Sequence, residues 1–184
     1  MAFDDAPFTF ESETTPIVGV VVTLPSYVEG VLRGEVHVDG EDATSELIRL
    51  ISASTTREAT QSILLDGIAL GGFNVVDLDR LHAETGLPVI TVTRTEPDIP
   101  SMERAIREHL PGREDAVRHL RSHPLFPLGV RPRPLWVSAV GVDPEAAKML
   151  LRKCLVRGSF PEPLRLAHLF ASVTSPGPLS RSRA

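Results

Sequence analysis

Apolar residues in the first third of the chain fall in short β-branched runs. Ile17-Val18-Gly19-Val20-Val21-Val22-Thr23 lies between Pro16 and Pro25 and reads as a strand. A second run, Tyr27 to Val38, carries Val31, Val36 and Val38 and stops at Asp39-Gly40. A short strand around Ala2 to Phe8 precedes both. Three consecutive strands with short connections predict an antiparallel meander. The period then lengthens. Leu47, Ile48 and Ile51 share one face of a helix that Asp42 is placed to cap. Ile63-Leu64-Leu65 is continuous and apolar, the mark of a strand covered on both faces, and it ends on Asp66-Gly67.

Beyond Asp66 the pattern alternates between helix and strand. A helix is expected from about Asn74, as its cap, to Thr85, with Gly86 as the stop. Leu87 to Thr93 reads as a strand, and 101–110 and 112–122 as helices broken at Pro111-Gly112. A proline-rich loop leads to a strand from Trp136 to Val142. Asp143-Pro144 opens a helix running to about Gly158, and "PEPLRLAHLFASV" supplies the last one. The tail "SPGPLSRSRA" reads as disordered. This predicts one α/β domain over residues 1–174 and a disordered tail over 175–184. The domain is a mixed sheet in which an antiparallel three-strand meander is extended by parallel strands, with helices on both faces. That is the element order of a ribonuclease H-like fold.

Composition narrows the setting. The 184 residues contain no run of 18 apolar positions, so no membrane span is expected. The acidic start, "MAFDDAPFTFE", does not have the form of a signal peptide. A single cysteine, Cys154, excludes an internal disulfide and a cysteine-based zinc site, and its surroundings read as a buried helix face. A cytoplasmic location is the expectation. Charge is unevenly spread: residues 1–100 carry 17 acids and 5 bases, residues 101–184 carry 7 acids and 14 bases. An acidic half beside a basic half suits a metal site next to a phosphate-binding surface, or simply a mixed surface.

The acids at strand ends are the candidates for chemistry: Asp4-Asp5, Asp39, Asp42 and Asp66. A carboxylate at the carboxyl end of a buried strand sits where open α/β sheets keep their ligands. If the first strand pairs beside the strand ending at Asp66, Asp4 and Asp66 converge. Crowded carboxylates repel unless a cation joins them. Oxygen donors without cysteine or clustered histidine favour Mg²⁺ or Mn²⁺. The competing reading is that these acids cap turns and helices, as Asp42 is expected to do in any case. His119 and His123, four apart, read as part of a solvated charged helix. The glycines of "DGIALGGF" match no phosphate loop and read as a turn before the next helix. Arg165 and His168, neighbours on the last helix, face phosphate, solvent or a local partner.

"FDDAPF", "VDGEDATSELI", "ILLDGIALGGFNVVDLDRLHAETGLPVITVTR" and "PEPLRLAHLFAS" together resemble a mainly archaeal family, domain of unknown function 99. That family in turn resembles endonuclease V, a metal-dependent nuclease of ribonuclease H-like fold acting on deaminated nucleic acid. The resemblance implies Mg²⁺ or Mn²⁺ held by Asp4, Asp39 and Asp66, with Asp5 and Asp42 as alternates. It implies Arg94 as a catalytic cation and Tyr27, in "SYVEG", as a residue that probes bases. Arg165 and His168 join Tyr27 as candidates for the nucleic-acid side from their place on the last helix. DNA or RNA is the implied partner. The chain departs from the pattern at Glu29, where a proline is expected, at the displaced second acid and at Ile68 to Phe73. The alternative function is a non-catalytic nucleic-acid-binding or scaffold protein that keeps the fold.

Overall fold

The computed structural model describes residues 1–9 and 11–174. The expected disordered tail lies outside the described residues. A seven-stranded sheet forms the centre, in the order β3-β2-β1-β4-β7-β9-β8. The meander is β1 (Ala2–Asp5), β2 (Thr14–Thr23) and β3 (Tyr27–His37), all antiparallel neighbours. β4 (Ile63–Asp66) and β7 (Val89–Thr93) extend it in parallel. β9 (Leu135–Val140) and the edge strand β8 (Phe126–Leu128) return antiparallel. The sheet is therefore mixed, as the sequence predicts.

Alternation along the strands divides the core between the two faces. Ala2, Val18, Val20, Leu64, Ile90, Val92 and Val137 point to one side. There they meet α5 (Pro144–Lys153) and α6 (Glu162–Ser172) through Leu151, Leu164 and Ala167. Phe3, Ile17, Ile63, Leu65 and Val89 point to the other. That side is closed by α1 (Ala43–Ala53) and α2 (Leu78–Thr85) through Leu47, Ile51, Leu78 and Leu81. A third, smaller cluster joins α3 (Ile99–His109) and α4 (Glu114–Ser122) around Ile106 and Leu120. Burying a side chain of this size stabilises the fold by about 1.5–3 kcal/mol. Gly19 is required where β2 crosses β1, because a Cβ there would collide with the Phe3 ring.

Four expectations are corrected in detail. The helix placed from Asn74 starts at Leu78, with Asp77 accepting the Arg80 N–H as its cap. Asn74 instead sits in a small hairpin of β5 (Ala69–Leu70) and β6 (Asn74–Val75), turned by Gly71 and Gly72, both at positive φ. It is fully buried, and its amide accepts from Ala43 N and donates to His37 O and Asp42 Oδ1. Asp42 occupies the N-cap position of α1 but its carboxylate does not cap the helix; it turns back to the His37 backbone and ring and to Asn74. The helix opened by Asp143 ends at Lys153, and β9 ends at Val140, before Gly141 at positive φ.

Candidate metal centre

Parallel pairing of β1 and β4 sets Ala2 beside Leu64 and Phe3 beside Leu65. One residue further, Asp4 and Asp66 leave the two central strands together at the carboxyl edge. Both side chains point to the face that α6 covers, and α6 delivers His168 between them. One atom from each of Asp4, Asp66 and His168 lies within 4.8 Å of the others. Among the described residues this is the one such group of three metal-ligating side chains. His168 Nδ1 is 2.8 Å from Asp4 Oδ2. The other Asp4 oxygen accepts the Asp5 N–H at 2.9 Å. Arg94, just beyond β7, donates to Asp66 Oδ2 at 3.3 Å and lies 3.6 Å above the centre of the Phe160 ring.

The electrostatics are those of acids taken out of water. Asp4 is 5% exposed, and burial pushes its carboxyl up to about 7. The His168 hydrogen bond opposes that rise, while the charges of Asp66 and Asp5 add to it. Burial also raises Asp66 against the pull of Arg94. Asp5 is raised for the same reason, although Gly71 N donates to its Oδ2 at 2.6 Å. His168 is raised by its bond to Asp4. Groups that would all be charged are thus crowded, and the cluster holds on to protons. A cation at the centre would take the place of those protons.

The other predicted residues are placed elsewhere. Asp39 follows β3 in the left-handed region, at φ 54, and its Oδ1 accepts the Phe73 N–H at 2.7 Å. It is joined to the site through Gly71, whose carbonyl accepts Asp39 N while its N–H goes to Asp5. Neither Asp39 nor Asp42 belongs to the Asp4–Asp66–His168 group. Tyr27 is 68% exposed at the start of the edge strand β3. Arg165 is bound to Glu162 by two hydrogen bonds of 2.6 and 2.7 Å. His119 and His123 are not on a wholly solvated face: they approach Asp77 and Asp79 near the start of α2. Cys154 is buried at the end of α5, and burial pushes its thiol up to about 11. Sequence reasoning did not place His168 in the acid cluster. The available signal was its spacing: Leu164, His168 and Ala171 recur at i, i+4 and i+7, which puts the histidine on the buried stripe of α6.

Comparison with known proteins bears on the family and the fold. Residues 1–175 match the family model described as endonuclease dU. A UPF0215 protein of Thermococcus gammatolerans is 43% identical over 182 residues, covering 96% of this chain and 92% of the relative. The crystal structure of a protein of unknown function from Archaeoglobus fulgidus superimposes with a TM-score of 0.86 at 36% identity, over 96% of this chain and 97% of the other. Ciona intestinalis endonuclease V, solved with a 24mer DNA containing an inosine followed by a ribo-adenosine, superimposes with a TM-score of 0.58 at 18% identity. That match covers 90% of this chain and 81% of the other. The last likeness bears on the fold, which is endonuclease V-like.

Proposed function

The chain belongs to the endonuclease dU family, and we propose that it is a divalent-metal-dependent nuclease cleaving phosphodiester bonds in DNA at deaminated bases. One observation carries the reading: Asp4, Asp66 and His168 converge at the carboxyl edge of the two central parallel strands. The donor set fits a hard divalent ion. Two carboxylates and one imidazole suit Mg²⁺ or Mn²⁺, and cysteine is absent from the group. When bound, such an ion would polarise a phosphoryl oxygen and make water acidic enough to attack at neutral pH.

The chain's own residues supply the rest. Asp4 and Asp66 hold the charge that recruits the cation, and Asp4 has to release its proton first. His168 Nδ1 hydrogen-bonds the Asp4 carboxylate and holds it in place. Arg94, stacked on Phe160, keeps a positive charge beside Asp66, where it stabilises charge developing on a phosphate. Tyr27, toward the opposite edge of the sheet from the acids, presents an exposed ring on which a base further along the nucleic acid stacks. The endonuclease V relative is solved on DNA carrying inosine, and the family name points to deoxyuridine; both are deaminated nucleosides.

The test is cleavage of labelled oligonucleotides containing one deoxyuridine, one inosine or neither, with Mg²⁺ or Mn²⁺. Nicking near the deaminated nucleotide, lost in Asp66→Asn, is the expected result. Folded protein that neither nicks any of them nor binds Mn²⁺ would refute the reading and favour a non-catalytic nucleic-acid-binding protein.

A further inference from the structure

The edge of the sheet that carries the acids continues past them. On the face covered by α5 and α6, one row of side chains runs across the strands from Asp4 and Asp66 through Val92 and Val137 to Phe126. Thr93 stands opposite Trp136, so Leu135 comes beside Arg94, and Leu128 pairs with Leu135 in turn. Residues 129–134 join β8 to β9 just beyond that point, at the acids' edge. Val130 packs on the core of the α5/α6 face, so the loop leans to the side on which Asp4 and Asp66 lie.

The loop reads Gly-Val-Arg-Pro-Arg-Pro. Arg131 and Arg133 are exposed, and among the described residues neither guanidinium has an acceptor. Arg49, Arg80, Arg118, Arg121 and Arg165 are each paired with a nearby carboxylate. No acidic residue occurs between Asp115 and Asp143, although the chain has 24 acids, so the local sequence leaves the charge of the loop uncompensated. Pro132 and Pro134 restrict the backbone after each arginine, which lowers the entropy lost when the loop is held against a ligand.

We propose that Arg131 and Arg133 bind backbone phosphates of the nucleic-acid strand whose scissile phosphate lies at Asp4 and Asp66, so that the strand leaves the metal centre across β7 and β9. The inference rests on the nuclease reading above and names the path of the substrate backbone. From β4 to β9 and β8 is two to three strand spacings, about 10–14 Å. That is about three to four nucleotides at a rise of about 3.4 Å each. Arg94, one strand from Asp66, stands on the same line. Guanidinium groups grip phosphate oxygens bidentately, and such contacts position the strand without reading its sequence.

The salt dependence of binding tests the path apart from cleavage. Fluorescence anisotropy in chelator, with an unmodified single-stranded oligonucleotide, gives the slope of log K against log[NaCl]. Arg131→Ala/Arg133→Ala should reduce that slope by about 1.4, two phosphates at about 0.7 each, with an unchanged melting temperature. Arg131→Lys/Arg133→Lys should keep the wild-type slope, because counterion release counts charges. Arg104→Ala/Arg107→Ala removes the same charge from the exposed side of α3, across the sheet from α5 and α6, and should also keep it. Failure of the wild type to bind, an unchanged slope in the loop alanine variant, or an equal loss in the α3 variant would overturn the proposal. A loop-dependent slope without cleavage in Mn²⁺ would uphold the backbone path and refute the nuclease reading; cleavage with a loop-independent slope would do the reverse.

Discussion

Two groups of acids end strands at the same edge of the sheet, yet their surroundings are opposite. Asp39 and Asp42 follow β3 and are fully engaged by the protein. Asp39 accepts from Phe73 N, and Asp42 accepts from Asn74, from the His37 backbone and from the His37 ring. Burial alone would raise the Asp42 carboxyl, but those hydrogen bonds outweigh it and the group is lowered. Asp4 and Asp66, two strands and three strands inward, are desolvated without enough donors, and both are raised. The first pair of acids builds a corner of the fold. The second is left short of positive charge, which is what a cation-binding site requires before its ion arrives.

The sharpest way to break this contrast is to neutralise one acid of the inner group. Asp66→Asn should weaken Mn²⁺ binding and cleavage by at least about a hundredfold, more than losing a partner behind a ligand. Its melting temperature should hold, because the change removes a desolvated charge. Isothermal titration with Mn²⁺ reads the affinity directly; unchanged affinity would remove Asp66 from the site.

The outer group should respond in the reverse sense. Asp42→Ala leaves Asn74 and the His37 backbone short of an acceptor and should cost about 1–2 kcal/mol of stability in urea unfolding. Its Mn²⁺ affinity should stay at the wild-type value.

The inner group also sets a pH dependence. Asp4, at about 7, and His168, also raised, both keep protons that the unfolded chain gives up at lower pH. The folded state then binds more protons than the unfolded one, so stability falls as pH rises. For Asp4 the window runs from the ordinary carboxylate range to about 7. For His168 the loss continues above the ordinary histidine range. Metal-free protein should therefore melt lower at pH 8 than at pH 5, and saturating Mn²⁺ should remove the difference. A flat profile in chelator would mean that the acids are not held protonated.

Asp39→Asn should have the smallest effect. Asparagine tolerates the left-handed backbone and still accepts the Phe73 N–H, so stability should change by less than about 1 kcal/mol. Metal affinity should be unchanged. A tenfold loss would bring Asp39 into the ligand set and erase the distinction between the two groups.

Much of this was legible along the chain. β-branched runs and turn residues marked the meander, and the continuous Ile63–Leu65 run marked a strand buried on both faces. Asp66 stood out because that strand ended on an acid followed by glycine. The errors have a common origin. Asn74 and Asp42 were read as local caps because asparagine and aspartate favour helix starts. In the fold they bind each other across 32 positions, and Asn74 supplies the acceptor at the start of α1 that Asp42 does not. His168 was read as facing phosphate, solvent or a local partner, yet its partner Asp4 lies 164 positions away.

The sequence by itself determined the elements, their order, and the chemistry available at each strand end. Those follow from hydrophobic period, turn residues and backbone preference, all of which act over a few neighbouring residues. Only the tertiary structure decided which acids share a site. Parallel pairing of β1 with β4 and the docking of α6 gather Asp4, Asp66 and His168, while the β5–β6 hairpin engages Asp39 and Asp42. A carboxylate becomes a candidate ligand or a structural acceptor according to the donors that surround it, and here those donors come from distant parts of the chain.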